Sequence, residues 1–228
     1  WHLLFTLIGV RQIEGRSEGK STLLNIIENQ AKPLSEIADV KAGLMAYEMG
    51  KGNPAQTESM KKERIYHNTI QVDGTYLKYL DGNNVSRYEL SWNGAYLKYG
   101  KNLAAPRGFE LFSTPRILVR QIPAQPPYSI HACYTDEVLL NDRNSMNIVN
   151  ITEHPLYVLA LLNSRLMTYW FVHKFGKLSR GIFPQFKVNE LGQFPIKITN
   201  TPQPYINLVD KILIAKNLDP KADTSALE

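Results

Sequence analysis

The chain has 228 residues, 43% hydrophobic and 21% charged. That is enough for one large domain or two small ones with a buried core, and it excludes bulk disorder. The net charge of +5, with a pI of about 9.1, permits a polyanionic partner without requiring one, because charge patches matter more than totals. A single cysteine, Cys133, excludes an internal disulfide and a multi-cysteine zinc site, and it fits a cytoplasmic location.

The apolar opening at residues 1–10 is too short to span a bilayer and lacks the basic lead of a signal peptide, so no membrane partner is expected. Residues 3–10 read as a short strand or a linker. An opening without Met and a helix-like ending, KADTSALE, lead to the expectation of a piece of a longer polypeptide. A helix is predicted over residues 21–30, with Leu23, Leu24, Ile26 and Ile27 as its apolar stripe, Ser21 as N-cap and Pro33 as its breaker. Residues 43–56 form a loop rich in glycine and polar residues, and Lys61, Lys62 and Arg64 a small basic cluster.

From residue 65 to 91 the pattern alternates with period two, with turn signals at Asp73-Gly74 and Asp81-Gly82. Tyr76-Leu77-Lys78-Tyr79 and Tyr96-Leu97-Lys98-Tyr99 nearly duplicate one another, as a small repeat or, on the better account, as two strands of the same alternation. Further strands are predicted at 117–121, 129–134 and 147–151. One almost wholly apolar helix with Pro in its first turn is predicted over 155–171, then a short strand and turn at 187–195. A final amphipathic helix over 205–216 carries Ile206, Val209, Ile212 and Leu213 on one face. The predicted class is α+β: a mixed, largely antiparallel sheet of short strands with a buried helix and a C-terminal amphipathic helix.

Two motifs suggest catalysis and fall short of it. Gly15 to Ser21, GRSEGKS, is near a phosphate-binding loop, but that loop needs four residues between its glycines and here three intervene. Gln125-Pro126-Pro127-Tyr128 is near the Asp/Asn-Pro-Pro-Tyr tetrad of amino-methyltransferases. Gln is a methylene too long for its first position, and no Gly-rich cofactor loop follows a strand. The five histidines are scattered without metal-ligand spacing, so we expect no catalytic and no metal-binding residues.

Three polar sets carry more chemistry. Arg116, Arg120 and Gln121 flank one predicted strand; Arg143 and Asn144 sit in the turn from Asn141 to Ser145; Lys174, Lys177, Arg180 and Gln185 follow the apolar helix. Arg reads guanine O6/N7 and Asn or Gln reads adenine N6/N7 in the major groove of double-stranded DNA, while lysines suit phosphates. Taken singly, each residue is more readily a solvated or capping group than a reader.

An ordered series of segments then resembles one family. It runs from Gly43-Leu44, Tyr47, Gly50-Lys51-Gly52 and Gln56-Thr57 through Tyr79-Leu80-Asp81-Gly82 with Arg87-Tyr88 to PRILVRQI, NDRNSMNI, LLNSRLMTYWF and FPQFKVNELGQFPI. The series resembles the TaqI-like C-terminal specificity domain, the target recognition domain of adenine-specific DNA methyltransferases and type II restriction-modification enzymes. The resemblance implies a DNA target recognition domain over residues 33–200, preceded by a linker and helix (1–32) from a larger parent and followed by a C-terminal helix and truncated tail (201–228). It implies sequence-specific DNA binding by a chain that is non-catalytic alone. A catalytic methyltransferase domain is then expected in the same polypeptide, using S-adenosylmethionine, and Mg if a nuclease is present. The expected DNA-binding residues, chosen by their chemistry, are Lys51, Arg116, Arg120, Gln121, Arg143, Asn144, Lys174, Lys177, Arg180 and Gln185. The rival readings are a specificity subunit scaffolding separate methylation and cleavage subunits, and an enzyme using Lys20 of the degenerate loop or the Gln125 tetrad.

Overall fold

A computed structural model describes residues 18–176 and 185–227 of the chain. The strand or linker expected at residues 3–10, residues 15–17 of the glycine-lysine loop, and Lys177 and Arg180 lie outside the described residues. The chain runs α1 (Glu18–Asn29), β1 (Lys32–Pro33), β2 (Asp39–Ala42), α2 (Glu58–Lys62), β3 (His67–Asn68), β4 (Tyr76–Leu80), β5 (Val85–Ser86), β6 (Glu89–Leu90) and β7 (Tyr96–Lys98). It continues α3 (Glu110–Ser113), β8 (Arg116–Arg120), β9 (Ala132–Thr135), β10 (Leu140–Asn141), β11 (Ser145–Val149), α4 (Pro155–Leu162) and α5 (Arg165–Phe175). The last elements are α6 (Val188–Leu191), β12 (Pro195–Ile196) and α7 (Gln203–Leu218).

The strands form two four-stranded sheets and two short pairs, β1-β12 and β5-β6. The first sheet, β2-β11-β8-β9, is antiparallel throughout. The second, β10-β4-β7-β3, has one parallel pair, β10 with β4. This is the expected α+β arrangement of short, mostly antiparallel strands. The two YLKY segments turn out to be partners: β4 pairs antiparallel with β7, placing Leu77 opposite Leu97.

Strand alternation decides what the first sheet touches. Ile117 and Val119 of β8, with Met146 and Ile148 of β11, face the helices and join Trp170, Phe171, Phe186 and Phe194 in the larger core. Leu118 points the other way and packs with Leu80, Val85 and Leu139 from the side of the second sheet. Both faces are therefore covered, which is why RILV and SMNIV are buried without a break. A second core under the other sheet gathers Leu44, Tyr66, Tyr79, Leu97, Leu103, Phe112 and Leu140.

Three predicted elements differ from what forms. The helix over 155–171 is two helices, because Asn163 leaves the helical path and spends its side chain on the sheet. Its Nδ2 donates to the Ala132 carbonyl at 2.9 Å and its Oδ1 accepts from the Ala132 N–H at 3.0 Å. Ser164 then caps the next helix by accepting from the Met167 N–H. Helix α1 begins at Glu18, so Ser21 lies inside it rather than at its cap. Residues 187–195 hold a helical turn, α6, ahead of the strand β12 rather than a strand followed by a turn. The turn signal at Asp81-Gly82 takes the form of a 3₁₀ turn, Gly82–Asn84. Helix α7 buries Ile206, Val209 and Ile212 as its periodicity requires.

Candidate nucleic-acid interface

The end of β8 and the start of β11 lie side by side, with Arg120 opposite Ser145 in the register. Between β10 and β11 the chain crosses from the second sheet to the first in a turn made by its own side chains. Asn141 is fully buried, and its Nδ2 donates to the Ser145 Oγ at 2.9 Å and carbonyl at 3.1 Å. The Asp142 carboxylate accepts from the Asn144 N–H at 2.9 Å and from its Nδ2 at 2.5 Å. Burial, together with Asp81 nearby, pushes the Asp142 carboxyl up to about 6 against the pull of Asn144. Arg143 is left exposed at the tip, with its Nη1 3.5 Å from the Met45 sulfur. The Gln121 N–H donates to the Asn144 carbonyl at 2.8 Å and the Phe186 N–H to the Gln121 carbonyl at 3.2 Å, so residue 185 adjoins the same place.

Two glycines let other loops close on this turn. A Cβ on Gly43 would lie 2.1 Å from the Asp142 carbonyl oxygen, and one on Gly82 would lie 2.6 Å from the Asn144 Cβ. On the Gly82 side lies a polar cleft of about 370 Å³ lined by Asp81, Gly82, Asn83, Asn84, Asn93, Arg120, Ile122 and Asn144. Arg120 shares the face of β8 that carries Arg116 and Leu118, which aims it at this cleft. Beside it, burial and the charges of Arg120 and Arg87 push His131 down to about 4, so the imidazole is neutral near pH 7.

The fold thus brings together Arg120, Gln121, Arg143 and Asn144, with Gln185 adjoining, and separates the others. Arg116 is fully buried and cannot contact DNA. Its guanidinium donates to Asn147 Oδ1 at 3.2 Å and to the carbonyls of Thr114, Glu137 and Leu139 at 3.1, 3.2 and 2.6 Å. Lys174 is a structural tie instead of a free phosphate ligand: its Nζ lies 2.8 Å from the Glu28 carboxylate, which also accepts from the Trp170 indole at 2.9 Å. Lys174→Ala should cost less than about 1 kcal/mol of stability, as exposed pairs do, and leave the salt dependence of DNA binding unchanged. Denaturant unfolding and salt-titrated binding measure the two effects. Lys51 is exposed on a separate loop that is fastened by the buried Gln56 side chain to Ala46 and Asn102.

The reading from residue types passed over Asn83 and Asn93, which also line the cleft: Asp81-Gly82-Asn83-Asn84 was legible only as a turn, and nothing in the sequence marked Asn93. The Gln125 tetrad does not fit an adenine or S-adenosylmethionine site. The Tyr128 ring is crowded by the guanidinium of Arg87 at 3.6 Å and that of Arg165 at 5.0 Å, and its hydroxyl accepts from Arg165 Nε at 2.8 Å. Among the described residues no group of three or more His, Cys, Asp or Glu could hold a metal, and no helix is long and apolar enough to cross a membrane.

Residues 77–196, which hold β8, β11, the connecting turn and the cleft, match the TaqI-like C-terminal specificity domain. The chain belongs to this family. No curated protein matches the chain by sequence. Among solved structures it is similar to the HsdS subunit from Thermoanaerobacter tengcongensis, at 10% identity and a TM-score of 0.45, with 93% of this chain and 49% of that one covered. It is similar to the type IIL restriction-modification enzyme MmeI in complex with DNA, at 10% identity and a TM-score of 0.47, covering 86% and 30%. A structure addressing assembly and conformational transition of a type I restriction-modification system shows 12% identity and a TM-score of 0.42, covering 93% and 50%. The chain therefore spans half or less of the length of each of these chains.

Proposed function

We propose that this TaqI-like specificity domain reads a short sequence in double-stranded DNA for a restriction-modification protein, and that it does no chemistry by itself. The observation that carries the reading is the group at one end of the central sheet. Arg120, Gln121, Arg143 and Asn144 are held by a turn in which the buried Asn141 and the half-buried Asp142 are tied by hydrogen bonds. Guanidinium and amide groups carried on a backbone held in place are what base readout needs, and positions held in advance lose less entropy on binding. The parent would be a cytoplasmic adenine-N6 DNA methyltransferase with its catalytic domain in the same polypeptide. S-adenosylmethionine would bind in that domain, and Mg would be needed by a nuclease if the parent also cleaves DNA.

Selection from a randomised duplex library by this chain, and methylome sequencing of cells carrying the full-length parent, test the reading. Both should return one short motif; binding without sequence preference would overturn it. Within that motif, Arg120→Ala should lose about 1–3 kcal/mol and relax the preference at one guanine, while affinity for random duplex stays the same. Equal loss on every sequence would reassign Arg120 to a phosphate.

A further inference from the structure

The cleft beside Arg120 contains more recognition chemistry than the sequence marked. Its walls are two loops that are tied to each other. The Ser91 N–H donates to the Asn84 carbonyl at 2.9 Å, Asn84 Nδ2 donates to the Ser91 carbonyl at 2.6 Å, and Asn84 Oδ1 accepts from the Asp81 N–H at 2.7 Å. Asn84 is therefore spent on structure. Its neighbour Asn83 is exposed, lines the cleft, and makes no side-chain hydrogen bond with any described residue. Asn93, exposed on the second loop, accepts from the Ala95 N–H at 3.2 Å through Oδ1, and its Nδ2 makes no hydrogen bond with a described residue. Gly82 against Asn144 fixes these loops relative to the end of β8.

We propose that Asn83 and Asn93 are specificity-determining residues, and that the cleft reads an adenine edge next to the guanine taken by Arg120. The inference rests on the reading of the domain as a DNA reader and names the base edges that its cleft takes. A carboxamide offers one acceptor and one donor at the spacing of adenine N6 and N7, and Arg offers two donors for guanine O6 and N7. Ile122, also in the lining, supplies the apolar contact that a thymine methyl needs on the paired strand. Among the lining residues Arg120 is the one cation, which suits a site for base edges better than one for phosphates.

The test is selection from randomised duplexes with the wild-type chain, Asn83→Ala, Asn83→Asp and Asn93→Ala, alongside affinity for random DNA. The wild type should return a motif containing a G next to an A. Each Asn→Ala variant should lower the adenine preference at one position by roughly 10- to 100-fold, with random-duplex affinity and salt slope unchanged. Asn83→Asp keeps the size of the side chain, removes its donor and adds a charge that weakens binding to every duplex, so the same loss of adenine preference relative to random DNA assigns the effect to the amide instead of to loop packing. If the wild type selects a motif and the variants select it equally well, or weaken on all sequences alike, the inference is wrong while the domain remains a DNA reader. If the wild type selects no motif, the DNA-reader assignment itself fails and this inference with it.

Discussion

Arg116→Ala should unfold the domain readily, with a loss of about 4 kcal/mol, and should not alter which DNA sequence the surviving folded protein prefers. The guanidinium is fully buried, and burial pushes its pKa down to about 10, so it is still charged at neutral pH. No carboxylate is among its hydrogen-bond partners; three carbonyls and the Asn147 amide oxygen hold it. Truncation would leave those acceptors facing a cavity, each orphaned group costing on the order of 1–3 kcal/mol before any relaxation. For a domain of this size that corresponds to a melting point lower by roughly 8–16 °C. Arg116→Lys should recover little, because one ammonium cannot reach the two sides of the pocket that the planar fork spans. A variant that melts normally and has a changed sequence preference would return Arg116 to the DNA-contacting set.

The same strand shows how far residue types can be read. RILVR has Arg at both ends, on the same face, and alternation alone gives them equal standing. The difference is tertiary: Arg116 lies beneath the segment from Thr114 and the carbonyls of Glu137 and Leu139, while Arg120 lies where the sheet ends. Nothing local in the sequence says which end will be covered. Helix content was legible from apolar periodicity, but the break at Asn163 was not, because it depends on Ala132 of β9, a strand distant in sequence. That the two YLKY segments are strands was legible from their shared period, while their pairing with one another came only from the fold. Lys174 looked like the other basic residues after the buried helix until Glu28, far earlier in the chain, was brought against it.

The cleft depends in turn on a glycine that residue chemistry would pass over, and Gly43→Ala should be the substitution that most directly couples stability to recognition. Gly43 ends the passage of β2 across the turn before β11. Its N–H donates to the Ser145 carbonyl at 3.3 Å, the Leu44 N–H donates to the Asn141 carbonyl at 2.9 Å, and Arg107 Nε donates to the Gly43 carbonyl at 3.3 Å. A methyl at this position would fall 2.1 Å from the Asp142 carbonyl oxygen and 2.5 Å from that of Asn141. Both obstacles are backbone, so relief requires the turn itself to move, at a cost of about 3 kcal/mol. The groups on that turn, Arg143 and Asn144, would move with it. Selection from randomised duplexes by the folded Gly43→Ala protein should therefore return a broader motif, beside a lower denaturation midpoint. Gly74→Ala is the control: a Cβ there meets nothing within 4 Å, so it should stay within about 0.5 kcal/mol of wild type and select the same motif. If Gly43→Ala is destabilised and still reads the unaltered motif, the position of this turn does not set specificity, and the weight of recognition shifts to the loops that carry Asn83 and Asn93.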